Sequence, residues 1–429
     1  MKLSIKSNLA KWAILISLGF VYPVNSYTQP HFQGLSLGDI ERIALDRDTL
    51  IKSFEQKAGA FKEQSTAVDT WPDPRLKFGA QAVPVDSFEL DQEPMTQVII
   101  GYQQMLPRGN SNQIASESMQ AMSRLQQANK QQRIREVLMQ VRKAWFDVVL
   151  QIESVRIIQA NRQLFVKMLD ISQSHYASGL QQQQDVVQAE LDLSLVDDRL
   201  EQANSDLLVA RANLSKWIGE HTLNDDLYLD VNKLNIQKFP SKAELMPRLL
   251  TNPKIIAVQE SVFGQLKKVE MTNEEYSPQW GFDINYGKRD GNNPDGSERG
   301  DFLTAMVTLD LPLFTENKQD RNLAAEKQRL QATRYQKIDI ERLLIKRLEQ
   351  TMARLDKLKK RNQLYENKVL LQAHQNAEIA LKGYQSGVVN FFTLSRARVA
   401  ELNTRLADLK ISIDYNKNFA ELEFLVGEL

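Results

Sequence analysis

The sequence predicts an α+β chain, mostly α, in which a long antiparallel coiled-coil wall carries β-hairpins and the whole unit occurs twice. Three observations predict it. Proline and glycine are confined to a few segments, one set of motifs recurs about 208 residues later, and two short segments alternate apolar and polar residues.

Composition narrows the alternatives. The 429 residues carry 54 basic and 54 acidic side chains, a balance that argues against nucleic acid as a partner. With no cysteine, disulfides, thiolate metal sites, thiol nucleophiles and a lipidated N-terminal cysteine are excluded. A mean hydropathy of -0.41 excludes a bundle of membrane helices, which needs repeated apolar runs of roughly 20 residues. It leaves open a membrane β-barrel, whose alternating strands look soluble on average.

At the N-terminus, Lys2, Lys6 and Lys11 precede an apolar stretch from Trp12 to Val21, and Val24 and Ser26 suit the -3 and -1 sites of a signal peptidase. Residues 1-26 therefore read as a secretory signal. The competing reading, a single membrane anchor, has a short apolar stretch against it, with polar Asn25, Ser26, Thr28 and Gln29 following.

All 13 prolines fall at positions 23 to 107 and 240 to 312. Proline breaks helices and glycine weakens them. The two proline-free tracts thus read as long helix, each interrupted once, at Gly179 and near Gly387, and each ended at a glycine cap, Gly219 and Gly427. The tracts are copies. Tyr176-Ala177-Ser178-Gly179 matches Tyr384-Gln385-Ser386-Gly387, and Leu214-x-x-Trp217-Ile218-Gly219 matches Leu422-x-x-Leu425-Val426-Gly427, both at an offset of 208. Leu106-Pro107 matches Leu311-Pro312 at 205. A first repeat at 27-219 and a second at 243-429, with an inter-repeat segment at 220-242, follow from this.

Within each repeat the lengths fit together. A helix over 110–176 would span roughly 100 Å at 1.5 Å per residue. Its antiparallel partner over 180–217 leaves part of it uncovered, and a helix over 38–67 is long enough to cover the remainder. The second repeat offers 318–384, 388–425 and 243–271. Apolar residues step by three and four: Leu193, Val196, Leu200, Ala203, Leu207, Ala210, Leu214, Trp217 in one helix, and Leu138, Val141, Trp145, Val148, Ile152, Val155 in another. That repeat winds helices left-handed around one another and makes a wall one helix thick, wetted on both sides.

Between the helices, Trp280, Phe282, Ile284 and Tyr286 alternate with Gly281, Asp283, Asn285 and Gly287. A polar loop follows, and then Leu303, Ala305, Val307, Leu309 and Leu311 alternate with Thr304, Met306, Thr308 and Asp310. These predict a hairpin over 279-311 with strands long enough to cross an outer membrane, apolar residues toward lipid. A noisier hairpin over 75-106 carries Leu76, Phe78, Ala80, Val98, Ile100 and Tyr102. Four strands cannot close a barrel, and an open edge in lipid leaves backbone groups unpaired, so the chain is expected to oligomerise; three copies, a homotrimer, would supply twelve strands, within the usual even range. Soluble hairpins capping a coiled-coil shaft, with no pore, are the competing reading.

The repeated Tyr-x-x-Gly, the terminal Leu-x-x-(Trp/Leu)-(Ile/Val)-Gly, Asn252-Pro253 and the Leu-Pro entering each long helix together resemble the TolC-like outer-membrane efflux protein family, over nearly the whole mature chain. Trp71-Pro-Asp-Pro-Arg-Leu76, Met95-Thr-Gln97 and Gln104-Met-Leu-Pro107 look most like the branch serving heavy-metal cation pumps. The resemblance implies a trimeric channel in the bacterial outer membrane with a helical tunnel in the periplasm. Its partners would be a periplasmic adaptor (membrane fusion) protein and an inner-membrane transporter of the resistance-nodulation-division type. A mixed belt would be built from the N-terminal segment and 220–246, which includes the strand-like run 227–231. Protein secretion through the same kind of channel is the close alternative.

No enzyme is implied: no nucleophile elbow, phosphate loop or zinc-helix motif occurs, and no cofactor or metal is expected. His31, His175, His221 and His374 are scattered, with His175 read as a surface residue. The methionines read as packing, and the loop 290–296 as an extracellular turn rather than a calcium site.

Control is expected at the tip, where the helical hairpins turn. The family narrows its entrance with acidic residues shortly after the second-repeat glycine, whereas this chain has Thr393 and Arg396 there and carries Asp185 at the position equivalent to Thr393. One reading makes three Asp185 side chains a cation-attracting constriction; the other makes Asp185 a solvated residue favoured by the helix dipole. Adaptor contacts are expected at Gly179, Leu180, Gly387, Val388, Val389, Phe391 and Phe392. The apolar cluster of the last four residues is a foothold, a gate, or packing between hairpins.

Overall fold

The computed structural model describes residues 36–219 and 239–429. The expected signal segment, most of the inter-repeat belt with its strand-like run, His31 and His221 lie outside the described residues. Among the described residues no helix is long and apolar enough to cross a membrane.

Helices α1 (Leu37–Arg47) and α2 (Thr49–Val68) lead into strands β1 (Arg75–Gln81) and β2 (Gln97–Met105). Then come α3 (Ser111–Ala177) and α4 (Gln183–Ile218). The second repeat has α5 (Lys242–Leu250), α6 (Pro253–Asn273), β3 (Gln279–Lys288), β4 (Phe302–Asp310), α7 (Gln319–Leu364), α8 (Leu370–Gln385) and α9 (Phe391–Val426).

Three expected continuous helices are interrupted. The helix expected over 38–67 breaks at Asp48, whose carboxylate caps α2 by accepting from the Ile51 amide at 2.9 Å. Arg133 of α3 binds the same carboxylate at 2.9 Å, which fixes the break against the long helix. The helix expected over 243–271 breaks before Pro253, where Asn252 caps α6 through the Lys254 amide at 2.9 Å. Asn252 is fully buried and its side-chain amide also donates to the Leu425 carbonyl at 2.7 Å, tying α6 to the end of α9. The second long helix holds a π turn at Tyr365–Val369 between α7 and α8. A π turn widens the helix by one residue and so rotates the side chains below it relative to those above. The first long helix, α3, runs 67 residues without one.

The elements lie side by side in one row. Next to the strands the order is α2, α3, α6, α7; further away it is α4, α3, α9, α7–α8. So α2 and α4 share one flank of α3, and α6 and α9 share the other. The sheet repeats that order: β1-β2-β3-β4, all antiparallel, with β2 and β3 joining the two repeats. Each strand therefore continues one helix of the row.

The apolar stripes meet in three clusters. Ile40, Val137, Val141, Trp145, Val148 and Leu214 join α1, α3 and the end of α4. Leu245, Leu249, Leu344, Leu348, Leu422 and Leu425 join α5, α7 and the end of α9. These two are counterparts in the two repeats. The third lies toward the hairpin turns and is shared by both hairpins, with Phe165, Met168, Val196, Tyr384, Phe391 and Leu402. Ion pairs cross the seams between helices: Arg124–Glu260 at 2.8 Å links α3 to α6, and Arg347–Glu421 at 2.6 Å links α7 to α9. Between α3 and α6, Gly264 faces Met122, and a Cβ built there would meet its terminal methyl at 2.5 Å.

Two outcomes follow for stability. Asp48→Ala removes both the cap of α2 and the partner of Arg133, and the cap alone is worth about 1 kcal/mol. The Asp48 carboxyl is pulled two ways: burial pushes it up, and the Arg133 guanidinium and the Ile51 amide outweigh this and hold it below 3.8. Its contribution is therefore present above 3.8 and lost as pH falls through the lower folded-state value. Denaturant titration followed by helical circular dichroism is expected to show the Asp48→Ala deficit at neutral pH and its disappearance in strong acid. Gly264→Leu is expected to cost about 1–3 kcal/mol in the same assay by forcing α3 and α6 apart.

Candidate functional site at the hairpin tips and the sheet

Both hairpins turn through the same backbone motif. Gly179 and Gly387 have φ of 67° and 73°, a left-handed conformation that glycine adopts at no steric cost. The Leu180 amide donates to the His175 carbonyl at 2.9 Å, and the Val388 amide donates to the Gly383 carbonyl at 2.8 Å. These six-to-one bonds end α3 and α8 in the way that glycine-capped helices commonly end.

The side chains at the two turns differ. Leu180 is 69% exposed and Val388 is 79% exposed, so both stand clear of the protomer. Phe392 is exposed, Val389 tucks against Gly383, and Phe391 is fully buried. The apolar cluster expected here as one surface is thus divided. Val388 and Phe392 remain available to a partner, whereas Phe391 packs edge-on to Tyr384 with ring centroids 5.5 Å apart. Phe391, expected at the docking surface, has its side chain wholly covered in this conformation.

Beneath the turns lies a cluster built from both repeats. Tyr384, fully buried at the end of α8, has Phe391 on one side and the His175 ring 5.4 Å away on the other. His175 is half-buried: its ring takes part in the tip packing, and its Nδ1 is buried with no hydrogen-bond partner. Asp185, in the first turn of α4, is 8% exposed and faces the Tyr384 hydroxyl, which forms no hydrogen bond of full geometry. Burial raises the Asp185 carboxyl above the ordinary carboxylate range, with the Tyr384 hydroxyl opposing. Burial, together with the Asp185 charge, pushes Tyr384 up to about 12. In this conformation Asp185 is covered by its own protomer, which differs from the solvated helix start and from a side chain open to a pore. Thr393 and Arg396 are exposed; the Thr393 amide and hydroxyl both donate to Asn390, the cap of α9, at 3.0 and 2.9 Å.

Sequence reasoning missed a charged network one turn further in. Arg398 is 3% exposed and Glu401 is 1% exposed, and they pair at 2.8 Å. Arg398 also reaches Glu378 at 2.7 Å, and Glu401 also holds His374 at 2.8 Å and Arg405 at 2.9 Å. Burial pushes the Glu401 carboxyl up, and the hydrogen bonds with His374, Arg398 and Arg405 outweigh it and hold the carboxyl below the ordinary range. The available signal was the spacing: His374 and Glu378 four apart on one helix, Glu401 and Arg405 four apart on its antiparallel neighbour. Asp192 of α4 likewise binds Ser395 of α9 and Gln188 of its own helix, so the two hairpins are joined by polar contacts as well as apolar ones.

At the other end of the molecule the strand register puts all the alternating apolar residues on one face. Trp280, Phe282, Ile284 and Tyr286 stand opposite Leu309, Val307, Ala305 and Leu303. Tyr102 and Ile100 continue that face onto β2, and Leu76 and Phe78 continue it onto β1. Trp280, Phe282, Ile284 and Tyr286 are each 43–52% exposed, while Gly281, Asp283 and Gly287 on the opposite face of β3 are buried. Val307 and Leu309 are exposed too. Ile99, Met105, Phe302 and Met306 are the apolar exceptions on the polar face. Among the described residues no three His, Asp or Glu side chains converge as metal ligands.

Comparison with known proteins agrees with this layout. The model of the family described as outer membrane efflux protein matches residues 42–220 and 249–428, one match for each repeat. No curated protein matches the sequence. Among solved structures, the outer membrane protein VceC of Vibrio cholerae superposes with a TM-score of 0.75 at 16% identity, covering 91% of this chain and 96% of its own. The CmeC outer membrane channel of Campylobacter jejuni gives 0.73 at 13% identity, covering 99% and 94%. The MtrE outer membrane channel of Neisseria gonorrhoeae, in its open state, gives 0.74 at 16% identity, covering 91% and 88%. The duplicated row of helices, the four-stranded sheet with one apolar face, and a family match over both repeats lead to one conclusion: the chain belongs to the outer membrane efflux protein family.

Proposed function

We propose that this chain is the passive exit duct of a tripartite efflux system. It would carry solutes from a periplasmic adaptor and an inner-membrane pump of the resistance-nodulation-division type to the cell exterior. The observation that carries the reading is the pair of unfinished edges. β1 and β4 end the sheet with unpaired backbone, and the sheet's exposed face is apolar. An open edge in lipid costs several kcal/mol per unpaired group, so copies must join edge to edge. Three copies of four strands make twelve, within the even range of outer-membrane barrels.

The helical row supports the same closure. Its outer flanks carry unpartnered apolar residues, Val187, Leu191 and Leu195 on α4 and Leu364, Leu371 and Ile379 on the other flank. These are the residues that would meet when neighbouring copies extend the wall into a tunnel. Purified protein is expected to run as a heat-resistant trimer and to conduct ions in planar bilayers; a monomer without conductance would overturn the reading.

The tip supplies the control point in this proposal. Asp185 is packed against Tyr384 in the conformation described, so an acidic ring at the entrance forms only when the hairpins shift and uncover it. Asp185→Asn is expected to reduce the cation preference of the open channel, read as reversal potential in a salt gradient. An unchanged preference would remove Asp185 from the constriction.

Adaptor docking is assigned to the exposed turn residues, Leu180, Val388 and Phe392, with Gly179 and Gly387 setting their geometry. A photocrosslinking side chain placed in cells at Val388 is expected to capture the adaptor, while one at Val389, tucked against Gly383, captures less. Heavy-metal cations are the proposed cargo, on the segments 71–76, 95–97 and 104–107.

A further inference from the structure

The polar face of the sheet carries few charges. The register gives it Arg75 and Lys77 on β1, Asp283 on β3 and Asp310 on β4; β2 contributes none. Arg75 and Asp310 lie at the strand ends that adjoin the helices, where Arg108 approaches Asp310 at 3.8 Å. Lys77 and Asp283 lie further into the sheet, and they bind each other.

That ion pair spans an intervening strand. Lys77 and Asp283 are on β1 and β3, and β2 runs between them. Lys77 is opposite Gly101 on β2, and Gly101 is opposite Asn285 on β3. A Cβ at Gly101 would meet Asn285 Oδ1 at 2.0 Å and Lys77 Cβ at 3.4 Å, so the bare glycine opens the path that the lysine takes. Asn285 donates to the second oxygen of Asp283 and holds the carboxylate in place. The Asp283 side chain is 8% exposed and the Lys77 side chain 42% exposed, so the lysine is the part that meets solvent. The surrounding residues of that face, Gln81, Gln97, Gln103, Asn285, Thr304 and Thr308, are uncharged.

We propose that Lys77 and Asp283 are the residues that set ion selectivity within the barrel lumen, by cancelling each other. The inference rests on the barrel reading above, in which the polar face lines the passage. In a trimer the pair occurs three times at one level. Intact, it makes a neutral waist that favours neither sign of solute; with one partner removed, three like charges remain at that level. A ring of like charge in a pore selects for the opposite sign.

The test is reversal potential in planar bilayers under a KCl gradient. Lys77→Gln is expected to shift it toward cation selectivity and Asp283→Asn toward anion selectivity, with the double variant returning to the wild-type value. Conducting trimers in which both single variants keep the wild-type reversal potential would overturn the proposal. Should a single variant fail to form heat-resistant trimers, the exchanged pair, Lys77→Asp with Asp283→Lys, retains neutrality and is expected to conduct with wild-type selectivity; a shifted potential there would overturn it too. A wild-type protein that forms no conducting trimer overturns the barrel reading instead, and the proposal falls with it.

Discussion

An apolar stripe that recurs every three and four residues serves one neighbour, so a helix with a stripe on each flank takes a neighbour on each side without building a core around it. The rest of this molecule depends on that constraint. Helices so patterned form a row, and a row has two ends. The interior of the row is satisfied within one chain, because α3 and α9 each have neighbours on both flanks. The outer flanks of α4 and α7–α8 are not, and Leu191, Leu195, Leu371 and Ile379 remain exposed there. The sheet faces the same problem in a different currency, since its unmet demand is backbone hydrogen bonding at β1 and β4. Because each strand continues one helix of the row, a single lateral closure would satisfy both.

The duplication supplies matched backbones and unmatched side chains. The two turns share glycine geometry to within a few degrees. The residues around them have diverged: the first repeat contributes His175 and Asp185 to the tip cluster, and the second contributes Tyr384 and Phe391. The π turn exists in the second long helix alone among the two. Equivalent positions therefore do different work, and Asp185 lies beside a tyrosine from the other copy of the unit, far from it in sequence.

Much of the helical architecture was legible because proline and glycine mark ends by excluding helix, a local effect that needs no knowledge of the fold. The break at Asp48 was missed because it contains neither residue; an aspartate that caps a helix is also acceptable within one, and only Arg133 of α3 shows which role it has. The strand alternation was legible for a similar local reason, since period two places residues on opposite faces whatever the surroundings. The tip was less legible. Val388, Val389, Phe391 and Phe392 form one apolar run, and nothing in the run says that Phe391 turns inward while Val388 stays out. The Arg398–Glu401 network was hidden as well, because charged residues on a helix are usually solvated, and their burial depends on what the neighbouring helix brings.

The sequence by itself determined the period of most elements and the apolar face of each strand, because these follow from steric rules within a few residues, and its repeated motifs determined the two-fold repetition. Only the tertiary structure decided which sides of equivalent residues are covered. It put Asp185 under Tyr384, and it let Lys77 reach across Gly101 to Asp283. Both contacts join residues from different repeats, and long-range proximity of that kind is set by how the row packs, which no local pattern encodes.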